Sequence, residues 1–545
     1  MSVHPSSSGA HAAGERSGRS ELPLVLLSHR GPVTFSRTHD GQRTASRGSG
    51  GLVTALMGLA EHLEDAVWVC AADTDEDVAV SREAGGGAIQ ISTAPTPHVV
   101  EESAEEAAAH GDDAHTLMVR MIETDPDAHA AFYTVVSNPI LWFIQHGLYG
   151  LAESPVLTQA DHDAFEYGYA AVNESFADAV ADEVERHGGE ALVMIHDYHF
   201  YLVADSVRKR CPGALLQHFV HIPWPGPDAW RVLPPSMRER LLRGILGSDV
   251  VGFHTQRYAR NFVSCARELL GLPVDVETLT IEVDGRTVRA GYYPISVDPR
   301  ALDETAESDD VSHHAEQLSE QFLGEGRQLV VRVDRTDPSK NVVRGFIAFG
   351  TLLDDHPELV GKVSFLALLQ PSRTDVPEYS DYIAHIGAVV AEINARHTFE
   401  GQQPIDLRLV EDFQLAVAAY SICDVLVVNA LADGMNLVAK EVAVVNRRDG
   451  VLALSENTGA YEELGDFAVT LYPFDVQQQA DALYSALTMP ADERRERLIS
   501  ANEQVRKYDV RRWLDAQLED LRGLLEAARP VAADGALSSM SNDDS

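Results

Sequence analysis

Arg335 and Lys340 stand in the run Arg332-Val333-Asp334-Arg335-Thr336-Asp337-Pro338-Ser339-Lys340-Asn341, at the end of the apolar stretch Gln328–Val333. Two cations between a strand end and a helix start suit one task well: neutralising a departing diphosphate. The same residues could also form a surface ion-pair network with the neighbouring aspartates. A second run, Asp433-Gly434-Met435-Asn436-Leu437-Val438-Ala439-Lys440-Glu441, follows the apolar stretch Asp424–Val428. A glycine turn that opens a helix leaves the backbone N–H groups of Asn436, Leu437 and Val438 free, with Gly434 and Met435 forming the turn. That is an anion site suited to a diphosphate. Asp433, in the loop, can accept hydrogen bonds from sugar hydroxyls, and Glu441 can accept from a ribose. The plain alternative is an aspartate cap followed by a solvated glutamate.

Weaker signals surround these two. Ser28-His29-Arg30-Gly31-Pro32 is followed by Gly48-Ser49-Gly50-Gly51-Leu52, a glycine-rich helix entry able to cradle phosphate. It is neither G-x-G-x-x-G nor a P-loop, since no Walker lysine is present. Ile195-His196-Asp197-Tyr198-His199 and Val220-His221-Ile222-Pro223-Trp224-Pro225 each put polar groups after an apolar strand. His196, His199 and His221 could ligate a metal, but no H-e-x-x-H-like spacing supports it, and structural hydrogen bonds are the commoner use. Tyr133 and Trp142 bracket Ser137-Asn138-Pro139, and Arg373 follows Gln370-Pro371-Ser372. Singly, these would be core aromatics and a surface arginine.

The elements that must position these groups alternate between short apolar runs and longer helical patterns. The spacing predicts strands at Leu24–Ser28, Ala66–Cys70, Ala191–Ile195, Leu215–Val220 and Asp249–Phe253. A second series covers Gln328–Val333, Val363–Leu369, Leu407–Val410, Asp424–Val428, Val451–Leu454 and Ala468–Leu471. Helices are predicted at Ala160–Arg186, Met237–Leu246, Gln256–Leu270, Asn341–Leu353, Ser380–Ala395 and Asn436–Asn446. Continuous apolar strands separated by helices imply α/β architecture with buried parallel sheets. Two series imply two doubly wound domains, over 22–296 and 297–509. Pro294–Arg300 reads as the hinge, followed by Ala301–Ser312, charged and poorly patterned. A helix at about 510–529, with Trp513, Leu514, Leu518, Leu521 and Leu525 at helical spacing, is expected to cross back to the first domain. Residues 1–21 and 530–545 read as disordered tails. Ligands of such sheets bind beyond the carboxyl ends of the strands, so the cleft between the domains is the expected site.

Composition bounds the partners. The chain has 545 residues and a formal net charge of −41, which disfavours non-specific binding to nucleic acid or an anionic membrane. A local cationic cluster can still hold phosphate ligands. Cys70, Cys211, Cys265 and Cys423 form no paired spacing, so buried free thiols are expected. No apolar run is long enough to span a bilayer and the first residues lack a signal-peptide pattern, so a cytoplasmic protein is the expectation.

Taken in order, the motifs S-x-R, G-G-L, S-N-x-x-L-W, H-D-Y-H, H-I-P-W-P, R-x-D-x-S-K, P-S-R and D-G-M-N-L-V-A-K-E resemble the trehalose-6-phosphate synthases over about Leu24 to Leu525. These are retaining glycosyltransferases of family 20 with the GT-B fold, two Rossmann-like domains facing across a cleft. The resemblance implies glucose transfer from a UDP-, GDP- or ADP-glucose to glucose-6-phosphate. It implies that Arg335 and Lys340 hold the diphosphate with backbone help from Gly50, Gly51 and 436–438. It also implies that Asp433 binds glucose hydroxyls, Glu441 the ribose and His221 the donor sugar, and that Asp197 positions the acceptor. Arg30, Tyr133, Trp142 and Arg373 would form the acceptor's phosphate pocket. No metal or other cofactor is implied, and a homo-oligomer is left open. Three departures stand out. The family's S-N-R reads Ser28-His29-Arg30, its W-x-G-W segment reads Trp68-Val69-Cys70-Ala71-Ala72-Asp73, and its L-R-D-G reads Leu431-Ala432-Asp433-Gly434. These resemble an actinobacterial branch. The alternatives are a glucosylglycerol-phosphate synthase, a cyclitol-coupling relative, or a non-catalytic sugar-phosphate sensor.

Overall fold

The computed structural model describes residues 22–39, 41–48, 53, 55–57, 66–92, 98–99, 116–374 and 376–528. The segments read as tails, and Gly50 and Gly51 of the glycine-rich turn, lie outside the described residues.

Two sheets organise the chain. Seven parallel strands form the body of the first. In spatial order they are Thr116–Ile122, Ala66–Ala71, Leu24–Leu27, Leu192–His196, Leu215–Phe219, Val250–Phe253 and Arg286–Tyr292. Ranked by sequence, that order is 3-2-1-4-5-6-7. Antiparallel strands extend both edges, Thr280–Val283 and Val274–Asp275 at one, Ile89–Ser92 and His98–Val99 at the other. The second sheet has six parallel strands, in the order Ile405–Leu409, Val363–Gln370, Gln328–Arg335, Val425–Val428, Val451–Ser455 and Val469–Leu471. By sequence this is 3-2-1-4-5-6, the doubly wound order. Leu24–Leu27, Ala66–Ala71, Leu192–His196 and Val425–Val428 are buried throughout, which explains their unbroken apolar runs.

In each sheet the strand order reverses between its first and fourth parallel strands. The crevice at such a switch point is where an open α/β sheet admits a ligand. Sequence signals at 28–30 and 197 fall at the first switch point, and those at 335–340 and 433–441 at the second.

One apolar cluster covers the face of the first sheet that carries Val25, Leu27, Val69 and Ile195. Another joins the opposite face, through Leu26 and Trp68, to Leu329, Val331 and Leu426 of the second sheet. The last helix, Val510–Ala528, completes that second cluster with Trp513, Leu514 and Leu521. It also meets the first sheet directly. Gln217 Nε2 donates to Gln517 Oε1 at 3.1 Å, and the Tyr293 hydroxyl donates to Asp520 at 2.6 Å.

The structure corrects one reading. The stretch 301–312, expected to lack pattern, contributes to two helices, Pro299–Ala306 and Asp309–Phe322. Asp298 and Ser308 cap them, and their charged faces disguise narrow apolar stripes of Leu302, Ala306, Val311, Leu318 and Phe322. The antiparallel hairpin Val33–Arg37 with Arg43–Arg47 was not expected either. Nor were the π-helical segments Ala131–Trp142, which contains Pro139, and Ala164–Ala170. All four cysteines are buried and free. Among the described residues, no helix is long and apolar enough to cross a membrane.

Candidate functional site

The second sheet supplies a cationic turn held by buried polar bonds. Arg332, on the central strand, has no exposed surface. It donates to Asp334 at 3.0 Å, to the Asn429 side-chain oxygen at 2.6 Å and to the carbonyl of Lys340 at 2.5 Å. It therefore ties the ends of the first and fourth strands together and fixes the backbone of Lys340. Asn341, at φ 58°, sits in the left-handed region and donates to the carbonyls of Asn429 and Pro473. Gly345 leaves room for this clamp, because a Cβ there would meet Arg332 Nη1 at 2.6 Å.

Lys340 Nζ is bonded to Asp433 Oδ2, which also accepts from Asn436 Nδ2 at 3.0 Å. Burial alone would raise the Asp433 pKa, but Lys340 and Asn436 outweigh it and hold the carboxylate ionised, below the usual range. Asn436 is again left-handed, at φ 76°. Its side chain accepts from the Ala439 N–H at 3.3 Å, and the first intrahelical donors, Lys440 and Glu441, both give to the Leu437 carbonyl. The amides of Asn436 and Leu437 thus precede the helix Val438–Val445, and that of Val438 belongs to its first turn. Lys440 is buried, donating to Glu463 at 2.6 Å and to the carbonyl of Ile295 at 2.8 Å. Burial pushes the Glu441 carboxyl up to about 7, opposed only by the Tyr420 hydroxyl.

Gly434 brings the two halves together. A Cβ there would lie 1.8 Å from the carbonyl oxygen of His221, so only glycine permits this approach. The Tyr258 hydroxyl adds a bond to the Asp433 carbonyl at 2.9 Å.

Facing this turn is the first sheet's switch point. Asp197 ends the strand Leu192–His196 with φ 74°, a strained conformation for a residue bearing a Cβ. Its Oδ1 accepts the His221 N–H at 3.3 Å, and its carbonyl is 3.1 Å from His218 Nε2. Burial pushes the Asp197 carboxyl up to about 7, against the pull of the Tyr198 and His221 N–H groups, Arg373 and Arg335. His196 Nδ1 and His221 Nε2 lie 3.1 Å apart. Burial holds His196 down at about 3 and His221 well below the ordinary value, so this pair is neutral. His196, His199 and His221 divide into separate clusters rather than one ligand set. His221 pairs with His196, whereas His199 stacks with His29 and packs tilted against Tyr198.

Between the halves lies an arginine-aromatic cluster. Trp142, at the end of the π-helical segment, has the Arg373 guanidinium 4.0 Å and the Arg335 guanidinium 5.2 Å from its ring centre. Arg373 is almost fully buried and donates to Asp337 at 3.0 Å, to the Tyr379 hydroxyl at 2.5 Å and to the Tyr198 hydroxyl at 3.1 Å. Asp337 is completely buried and accepts from Ser339 and Tyr379 as well. Burial would raise its pKa, but Arg373 and Arg335 together pull it far below the usual range. Arg373 is therefore no surface arginine, and its charge is matched by Asp337. An irregular helix is a common device for aiming side chains at a site. Here it projects Tyr133 and Trp142 into different clusters.

Tyr133 stacks on His29 at 5.1 Å and on His129 at 5.9 Å, and Arg30, which follows His29 in the chain, is exposed. Trp68, in the departed W-x-G-W segment, is fully buried and donates to Ser28 Oγ at 2.8 Å. It is a core residue, and Asp73 is the member of that segment that reaches the surface. Sequence reasoning assigned no role to Arg332, Asp337, Tyr198, Tyr379 or Tyr258. The first three stood inside quoted motifs, where burial of a charged or phenolic group was the missing signal. Tyr258 and Tyr379 carried no local signal.

Comparison with known proteins bears on the family and the fold. The model of Glycosyltransferase family 20 matches residues 23–523. A relative named alpha,alpha-trehalose-phosphate synthase [UDP-forming] 1, from Aspergillus fumigatus, is 32% identical over 505 residues, covering 92% of this chain and 90% of its own. A solved structure of an alpha,alpha-trehalose-phosphate synthase (UDP-forming) from Burkholderia vietnamiensis superposes with TM-score 0.75 at 28% identity, covering 94% of this chain and all of the other. The Burkholderia xenovorans enzyme, solved in complex with glucose-6-phosphate, gives TM-score 0.73 at 27% identity, with 92% and 100% covered. The two-sheet architecture is the GT-B fold, and the chain belongs to glycosyltransferase family 20.

Proposed function

We propose that the chain transfers glucose, with retention of configuration, from a nucleoside-diphosphate glucose to glucose-6-phosphate, making α,α-trehalose 6-phosphate. One observation carries this reading. The cations and free amides of the second sheet's switch point face the polar groups of the first across a contact closed by Gly434 and His221. The names of the relatives support a UDP donor.

In this mechanism the diphosphate lies along Arg335, Lys340 and the amides of 436–438. The bond between the anomeric carbon and the diphosphate oxygen breaks, and the developing negative charge is met by fixed cations and N–H dipoles. The acceptor hydroxyl attacks from the same face, and its proton passes to the departing phosphate oxygen. Asp433, kept ionised by Lys340 and Asn436, accepts from glucose hydroxyls. Neutral His221 borders the reacting sugar, and Asp197 orients the acceptor. Tyr133, Trp142, Arg30 and Arg373 form the acceptor side. Closure of the two halves excludes water and suppresses donor hydrolysis.

A second reading keeps the donor chemistry and changes the acceptor. It is favoured by burial of Trp68, which leaves the departed segment with no aromatic ring at the surface. The test is nucleoside-diphosphate release with UDP-, GDP- and ADP-glucose, each with glucose-6-phosphate, glycerol-3-phosphate or no acceptor. Release that requires glucose-6-phosphate, with a product of trehalose phosphate mass, is expected. Release only with another acceptor establishes the second reading, and no release with any pair defeats both.

A further inference from the structure

We propose that His29, Asp73 and His129 bind one divalent first-row transition ion, with Zn2+ the best match. One ligand atom from each lies within 4.8 Å of the others. His29 Nε2 and His129 Nε2 are 3.4 Å apart. Two nitrogens bound tetrahedrally to zinc at about 2.0–2.1 Å are separated by roughly 3.3–3.4 Å, so these rings stand at the spacing the ion needs. Two imidazoles and one carboxylate are a nitrogen-rich donor set, which suits zinc over the all-oxygen preference of magnesium or calcium. Three protein ligands leave a fourth position open.

The backbone sets this geometry. The three residues follow the neighbouring parallel strands Leu24–Leu27, Ala66–Ala71 and Thr116–Ile122. His129 lies on the short helix Pro126–Ala130. The His29 ring is fixed by stacking against Tyr133 at 5.1 Å and His199 at 4.8 Å. Asp73 is exposed and His129 partly so, which gives an ion a way in. Arg30 is adjacent, and its charge favours an anionic oxygen as the fourth ligand. One of the three ligands, His29, occupies a position where the sequence departs from the family's S-N-R, and Asp73 closes the segment that departs from W-x-G-W.

The alternative is a plain hydrogen bond between the two imidazoles. Titrating the chelator-dialysed full chain with Co2+ separates them. The visible absorption of four-coordinate Co2+ should saturate at one equivalent and be bleached by one equivalent of Zn2+. Loss of outer-shell partners alone costs about 10–100-fold in affinity, so His129→Gln and Asp73→Asn should each weaken binding roughly 100-fold or more. Both positions are accessible, and an unchanged circular dichroism spectrum checks the fold. No visible band in the wild type overturns the proposal. An unweakened band in the two variants also overturns it, because the ion would then sit elsewhere.

Discussion

On the second sheet, the groups at the switch point come from two short runs, 332–341 and 433–441, and their geometry is local. Left-handed Asn341 and Asn436, the Arg332 clamp and the Gly434 turn all lie within or beside those runs. On the first sheet, the facing groups come from 28–30, 73, 129–142, 197–199 and 221, joined by ring stacking and by Arg373 from the other half. A diphosphate needs amides and cations in a fixed row, which one turn can supply. A sugar phosphate must be enclosed, which takes side chains from many segments. The donor side is therefore expected to carry the rate, and the acceptor side to carry selectivity and much of the stability of the contact.

The sharpest way to break this contrast is on the donor side. Arg335→Ala and Lys340→Ala should each lower kcat by roughly 10²–10³-fold with a much smaller change in acceptor KM, because charge on the leaving group develops only in the transition state. Steady-state kinetics with both substrates varied measures the split. A loss confined to acceptor KM would place those cations on the wrong substrate.

Arg373 and its partner Asp337, from the run 332–341, test the contact between the two sides. Both are nearly or fully buried, so removing either leaves the other's charge unpaired. Arg373→Met or Asp337→Ala alone should cost about 3–5 kcal/mol of stability, and the double variant clearly less than the sum. Denaturant unfolding of the four proteins gives the coupling. Any activity left in Arg373→Met should show a raised acceptor KM. Additive losses would mean that the pair is not a unit.

Much of the strand framework was legible because buried parallel strands write themselves as unbroken apolar runs. The helix Gln256–Leu270 was legible to its ends, because Thr255 caps it and Gly271 closes it. The donor turn was legible for the same local reasons. Two kinds of feature were not. Helices at 299–322 hide behind charged faces, and their apolar stripes are narrow. The Trp142–Arg373–Asp337–Tyr198 cluster joins residues up to 231 positions apart, a distance that no local period records. Arg373 reads as a surface cation until its partners are seen. His29 was visible as a departure from a pattern, but not as a neighbour of Asp73 and His129.

The smallest effect concerns Asp197, where both sides meet. Its folded pKa is raised from 3.8 to about 7 by burial, so the folded state binds the proton more tightly than the unfolded chain does. Stability is then undiminished below 3.8 and falls as pH rises towards 7, because the buried carboxyl must ionise. Asp197→Asn keeps the shape and removes that charge. Its Tm should match the wild type near pH 4 and exceed it at pH 8, with the gap opening between those values. The side chain retains some exposure, so solvent screens part of the penalty and the gap should amount to a few degrees at most. A gap that narrows as pH rises would mean that Asp197 is stabilised as an anion. Its partners Arg373 and Arg335 would then outweigh burial, as they already do at Asp337.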